Sequence, residues 1–207
     1  YSEVEAAVQK ALELDPNNSN AYVAYGDVLA AQRWSRDGKE SKNPKHSYEY
    51  VKEQYLKAIE LDDKNYLPYL RLVSLFYSSG KEQMAFFDKA IELAPKKLKP
   101  ELYLERGVGK IFHLKEDLIS GFDDVIMARK LDPKIEAKSS LFNNELSLEF
   151  LQEGRMTAQK LEEAKAKLKD SPQDVQAVKD LARAEIELFS PEEAVKTLDK
   201  AIKLAPK

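Results

Sequence analysis

Two histidines and no cysteine are present among 207 residues, so the side chains that most often carry protons or hold transition metals near neutral pH are nearly missing. His46 lies in a lysine-rich polar stretch, and His113 closes an apolar helical run beside Lys115, a place where the helix macrodipole alone favours it. General acid–base catalysis needs such a group, or a pair of carboxylates, converging in a closed pocket. The adjacent pairs Asp123-Asp124, Glu162-Glu163 and Glu192-Glu193 fall in helical runs. Neighbouring side chains on a helix point about 100° apart, so none of these pairs can share a proton. Phosphate loops, HExxH, C-x-x-C and nucleophile elbows are absent. The one close glycine pair, Gly107-Val108-Gly109, sits inside an apolar helical run, where close packing accounts for it. The chain therefore reads as a non-enzyme, with no catalytic residue, no cofactor and no metal expected.

The elements on which these residues sit repeat. Ala11, Leu14 and Pro16 recur as Ala58, Leu61 and Asp63, as Ala90, Leu93 and Pro95, as Ala128, Leu131 and Pro133, and as Ala201, Leu204 and Pro206. A small residue, a leucine three further on and a breaker two beyond mark a helix packed and stopped the same way each time. With Pro172 as the breaker of a degenerate unit, breakers at 16, 63, 95, 133, 172 and 206 lie 47, 32, 38, 39 and 34 residues apart. These spacings scatter around the period of about 34 of a two-helix repeat. In the last interval Leu181-Ala182, Ala194, Leu198 and Ala201 fall where a helical hairpin needs small residues at the backbone crossing and large ones beside them. The pattern predicts helices over 1–14, 19–33, 46–61, 65–79, 81–93, 100–114, 116–131, 135–152, 157–169, 173–188 and 191–205. Ser190 followed by Pro191 and an acidic residue in capping-box register gives the last helix a clear start. No strand pattern competes.

Pro16, Tyr22 and Gly26, then Tyr69, Gly80 and Pro95, then Tyr103, Gly107, Ala128 and Pro133 resemble the signature of the tetratricopeptide repeat (TPR) family, over essentially the whole chain. The resemblance implies an all-α fold, a right-handed superhelical solenoid of stacked antiparallel helix hairpins, whose first helices line a concave groove. Residues 1–207 then form one domain: a half repeat at 1–16, a repeat at 17–63 with an insertion at 34–46, repeats at 64–95 and 96–133, a divergent repeat at 134–172, and a last one at 173–206. The insertion, Trp34 to His46, is polar and lysine-rich, and is expected to be a solvated, mobile loop. Its lysines also suit an acidic partner or lipid headgroups, and Trp34 either plugs the hairpin end or anchors a partner. The divergent repeat lacks the small-residue pattern, carries Asn143-Asn144 in the place of Gly107, and offers a turn at Glu153-Gly154-Arg155, which makes it the expected soft point. Tyr1 to Leu14 reads as the second helix of a hairpin without its first, as in a fragment of a longer protein. The compartment stays open between cytoplasm and periplasm.

Helical periodicity then assigns the inward positions of the first helices. They are Asn20, Val23, Ala24 and Asp27; Leu67, Leu70, Arg71, Ser74 and Tyr77; Glu101, Leu104, Glu105, Val108 and Phe112; Ser140, Leu141, Asn144 and Leu148; and Gln176, Lys179, Asp180 and Arg183. Apolar residues mixed with charges suit an extended or helical peptide. A shift of one position moves Leu70, Leu104 and Val108 into the interhelix core instead, and both readings stand. Some TPR domains grip a terminal carboxylate with Lys, Arg and Asn on consecutive first helices. The matching positions here carry Val23, Asp27, Arg71, Glu101 and Glu105, and the acidic ones repel a carboxylate. Lys179 and Arg183, one turn apart, suit an acidic peptide. A net charge of −3, with 33% charged residues of both signs, argues against a nucleic-acid partner. No run approaches the roughly 18 apolar residues of a membrane helix, so a soluble protein without membrane insertion is expected. The function expected is a non-catalytic protein–protein interaction scaffold holding a peptide or partner protein in the groove. The alternatives are a regulatory or substrate-presenting segment of a larger enzyme, or a structural array that self-associates through its repeat ends.

Overall fold

The computed structural model describes residues 2–33, 40–75, 80–114, 117–135, 147–189 and 191–204. Within them lie ten α-helices: α1 (Ser2–Leu14), α2 (Ser19–Ala31), α3 (Tyr48–Leu61), α4 (Tyr66–Leu75), α5 (Gly80–Leu93), α6 (Lys99–Val108), α7 (Leu118–Leu131), α8 (Leu148–Asp170), α9 (Val175–Leu188) and α10 (Pro191–Leu204). The fold is all-α and TPR-like. The chain divides into two compact units, Tyr1–Leu102 and Tyr103–Lys207. In the first, α1 through α5 pack in chain order and α2 also reaches α4; in the second, α7 through α10 pack in chain order. Packing between successive helices is what a repeat array requires, since no hairpin alone buries its apolar face. Tyr25, Leu29, Val51, Tyr55 and Leu72 centre the core of the first unit. Phe122, Val125, Leu151 and Leu161 are among the residues that centre the second.

Four of the repeated tails close their helices with the same backbone bond. The N–H groups of Asp15, Ala94 and Asp132 donate to the carbonyls of Ala11, Ala90 and Ala128 at 2.9 Å, and that of Asp62 to Ala58 at 3.0 Å. Asp15, Asp62 and Asp132 then accept the N–H two residues on, from Asn17, Lys64 and Lys134, at 3.1, 3.0 and 2.9 Å. Such a side-chain turn competes with helix continuation, so the aspartate ends the helix before the next residue is reached. Ala58, Ala90 and Ala128 are completely buried. In the divergent repeat the equivalent bond joins Ser171 to exposed Lys167. Starts are capped as well: Asn18, Ser47, Ser147 and Asp174 accept N–H groups of the first turns of α2, α3, α8 and α9, worth about 1 kcal/mol each. Pro191 opens α10, while Ser190 lies outside the described residues.

Two expectations are corrected. The turn at Glu153-Gly154-Arg155 does not form, and α8 runs unbroken from Leu148 to Asp170. Gly154 serves close packing: a Cβ there would stand 2.4 Å from the Phe122 ring of α7. The small residues that the divergent repeat was expected to lack are thus supplied by Gly154, Ala158 and Ala164 of α8, between fully buried Leu151 and Leu161; Asn143-Asn144 lies outside the described residues. The insertion, in turn, is built at its C-terminal end. Arg33 donates twice to Glu40, at 3.1 and 3.0 Å, and Ser41 N–H donates to the Arg33 carbonyl at 2.7 Å. A 3-10 turn, Pro44–His46, packs on α2 and α3 and leaves His46 9% exposed. Asn43 Oδ1 accepts the Lys45 N–H, so its amide faces His46 Nε2 at 3.2 Å, and the Nδ1 side meets Ser41 Oγ at 2.8 Å. His46 is thereby a structural residue. Trp34 lies outside the described residues.

Candidate functional site

In the first unit, the face that α2 and α4 turn away from the core is organised by one carboxylate. Asp27 Oδ1 accepts the Tyr55 hydroxyl at 2.9 Å and Arg71 Nε at 2.7 Å, which ties α2, α3 and α4 together. Burial, reinforced by the Asp27 charge, pushes the Tyr55 phenol well above its usual range. The hydrogen bond to Asp27 raises Arg71 further, so the guanidinium stays charged. Gly26 makes room for this junction, because a Cβ there would come within 2.4 Å of Tyr55 Cε1. Asn65 Nδ2 donates to Ser19 Oγ and Asn20 Oδ1, both at 3.0 Å, and pins the start of the same face.

Around that junction, exposed Asn20 and half-buried Ala24 and Asp27 from α2 stand beside half-buried Leu67, Leu70 and Arg71 and exposed Ser74 from α4. Val23, expected on the same surface, is only 4% exposed and belongs to the core, because α2 is covered on three sides by α1, α3 and α4. Tyr77 lies outside the described residues.

In the second unit the one-position shift is realised. Leu104 is buried at 8% exposure, and Val108 and Phe112 pack against the same core, so these three residues stabilise the hairpin. Glu105 is exposed. Beyond Val108 the helix widens into a π-helical turn, Gly109–Leu114, which places Ile111 in the core. It also sets Lys110 Nζ 3.0 Å from Asp124, which Arg106 holds from the other side with Nε at 2.8 Å. Asp123, its sequence neighbour, points away and pairs with Arg155 of α8. The pair splits as helical geometry requires. Ser140, Leu141 and Asn144 lie outside the described residues.

On α9, Gln176, Lys179 and Arg183 are exposed. Asp180 and Arg183 line a cleft of about 290 Å³ together with Glu187 and with Thr157, Lys160, Glu163 and Lys167 of α8, over a floor of Ala164 and Ala184. Lys179 is outside that lining. The α8 residues were missed in the sequence, although Lys160, Glu163 and Lys167 are spaced as one helical stripe. Among the described residues no group of His, Cys, Asp and Glu could hold a metal ion, and no helix is long and apolar enough to cross a membrane.

Comparison with known proteins agrees with this architecture. A protein-family model described as tetratricopeptide repeat matches residues 7–40. YrrB, a TPR protein with an unusual peptide-binding site, shares the fold at 20% identity over 97% of this chain and 93% of that one, with a TM-score of 0.50. A monomeric mutant of IFIT1 with Gppp-AAAA is 15% identical over 97% of this chain but only 43% of its own, also at 0.50. MamA protein matches at 16% identity over 91% of this chain and 92% of that one, at 0.47. No curated protein gives a significant match. Residues 7–40 thus match a tetratricopeptide repeat, and the chain shares the fold of a TPR protein.

Proposed function

We propose that the chain is a protein-interaction scaffold that holds a peptide against the α2/α4 face. The observation that carries this reading is the composition of that face. Leu67 and Leu70 keep part of their apolar surface open beside the Asp27–Arg71 pair, whose side chains are 36% and 39% exposed. Apolar side chains of a peptide can settle on the leucines, while exposed Asn20 and Ser74 offer hydrogen bonds to its backbone. The Asp27–Arg71 pair is already satisfied, so it presents little net charge and does not form the carboxylate grip of some TPR domains. The peptide-binding site of YrrB on the same fold supports a peptide as the partner class.

The reading is tested with a peptide selected from a displayed library against the whole chain. Ser74→Arg, which fills the face from an exposed position, is expected to weaken binding at least tenfold while helicity and melting temperature stay unchanged. Unaltered affinity would place the site elsewhere.

A further inference from the structure

The cleft between α8 and α9 carries three charges of each sign that do not pair with one another. Its carboxylates have taken neutral partners instead. Glu163 accepts Gln159 Nε2 at 3.0 Å, Asp180 accepts Gln176 Nε2 at 2.8 Å, and Glu187 accepts Thr157 Oγ1 at 3.0 Å. The side chains of Lys160, Lys167 and Arg183 make no hydrogen bond or ion pair among the described residues. The lining therefore presents exposed cations that no described protein acceptor engages, and ammonium and guanidinium groups can only donate. The space exists because its floor is two alanines, Ala164 and Ala184, 3% and 2% exposed. At about 290 Å³ the cleft is near the lower limit of small-ligand sites, room for one or two side chains.

We propose that this cleft docks an acidic peptide segment whose carboxylates are received by Lys160, Lys167 and Arg183. Lys160 and Lys167 are two helical turns apart, about 10 Å along α8. A polyproline II chain covers that distance in about one turn of three residues, so acidic side chains at positions i and i+3 share a face and reach one lysine each, with Arg183 approaching from α9. The same lining discriminates against nucleic acid. A phosphate chain carries charge at every step and meets Glu163, Asp180 and Glu187 as well, whereas spaced carboxylates avoid them. The inference rests on the scaffold reading and adds a partner chemistry at a second surface.

The test uses the whole chain and a fluorescein-labelled ten-residue peptide with glutamates every third position. Matched peptides carry glutamine or lysine there, and a single-stranded oligoadenylate serves as the phosphate arm. The glutamate peptide is expected to bind at least tenfold more tightly than the others, less tightly as salt rises, with amide shift changes confined to residues 157–187. Lys167→Gln combined with Arg183→Gln, both at exposed helical positions, should remove most of this affinity at unchanged helicity, and Asp180→Asn should increase it. Equal affinity for the glutamine peptide, tighter binding of the oligoadenylate, or indifference to these variants would overturn the proposal. Shift changes on α2 and α4 alone would discard it too, while leaving the scaffold reading intact.

Discussion

Asp27 shows how one carboxylate can hold three helices. Asp27→Ala leaves the Tyr55 hydroxyl and the Arg71 guanidinium without their acceptor. A stranded buried partner costs about 1–3 kcal/mol. The Arg71 bond is more than one-third exposed and screened by solvent, so the lower half of that range is expected in urea denaturation. Asp27→Asn, which keeps an acceptor for Tyr55, should lose less. Equal stability of the alanine variant would show that the junction is decorative. The tyrosines add a pH signature. Burial pushes Tyr48 from its ordinary value of 10.0 up to about 12, and Tyr50, Tyr55 and Tyr69 are raised as well. The folded state holds these protons more tightly than the unfolded chain, so their contribution is complete below pH 10 and is lost as pH climbs through the folded values. The urea midpoint should be level from pH 7 to 9.5 and fall above 10, together with delayed tyrosinate absorbance; a fall beginning near pH 8 would contradict it. Asp27 and Arg71 were legible in the sequence as neighbours of one surface. Their mutual pairing was not, because it depends on how two helices separated by a third cross, and Tyr55 sits on a second helix that periodicity directs elsewhere.

At the scale of the element, the same residue type can stop a helix or bring two together, and α8 decides between these for Gly154. Replacing a mid-helix glycine with alanine ordinarily stabilises by about 1 kcal/mol. Here the added methyl meets the Phe122 ring at 2.4 Å, and overpacking of this kind costs about 1–3 kcal/mol. Gly154→Ala is therefore expected to destabilise, by about 1 kcal/mol net of the propensity gain, measured by thermal or chemical unfolding. Stabilisation would mean that the ring is not where α8 needs it. Most helix ends were legible because they are written in local chemistry: the aspartate turns at 15, 62 and 132 lie within a few residues of the helices they stop. The continuity of α8 was not legible, since Glu153-Gly154-Arg155 reads as a turn until Phe122 of another helix is known to lie beneath it. The C-terminal end of the insertion was hidden for the same reason: the polar residues Ser41, Asn43 and His46 suggest solvent, yet they satisfy one another.

For the whole molecule, the fold was legible and the partner was not, and one physical cause explains both. The repeat signature consists of residues that pack hairpins, such as Gly26 against Tyr55 and Gly107 against Gly121 and Val125, so it reports architecture and leaves the exposed positions free. Each of the two units is a frame with its own core, and substitutions at its exposed positions usually cost little stability. Even the phase of the surface needed coordinates: Leu104, Val108 and Phe112 went to the core, whereas Leu67, Leu70 and Ser74 retained open surface. The central claim is that the α2/α4 face of the first unit receives a peptide. It is tested most directly by amide hydrogen exchange on the whole chain with and without a library-selected peptide. The account predicts added protection over Asn20–Asp27 and Leu67–Ser74; protection confined to α3 and α5, or none above that of a scrambled peptide, would contradict it.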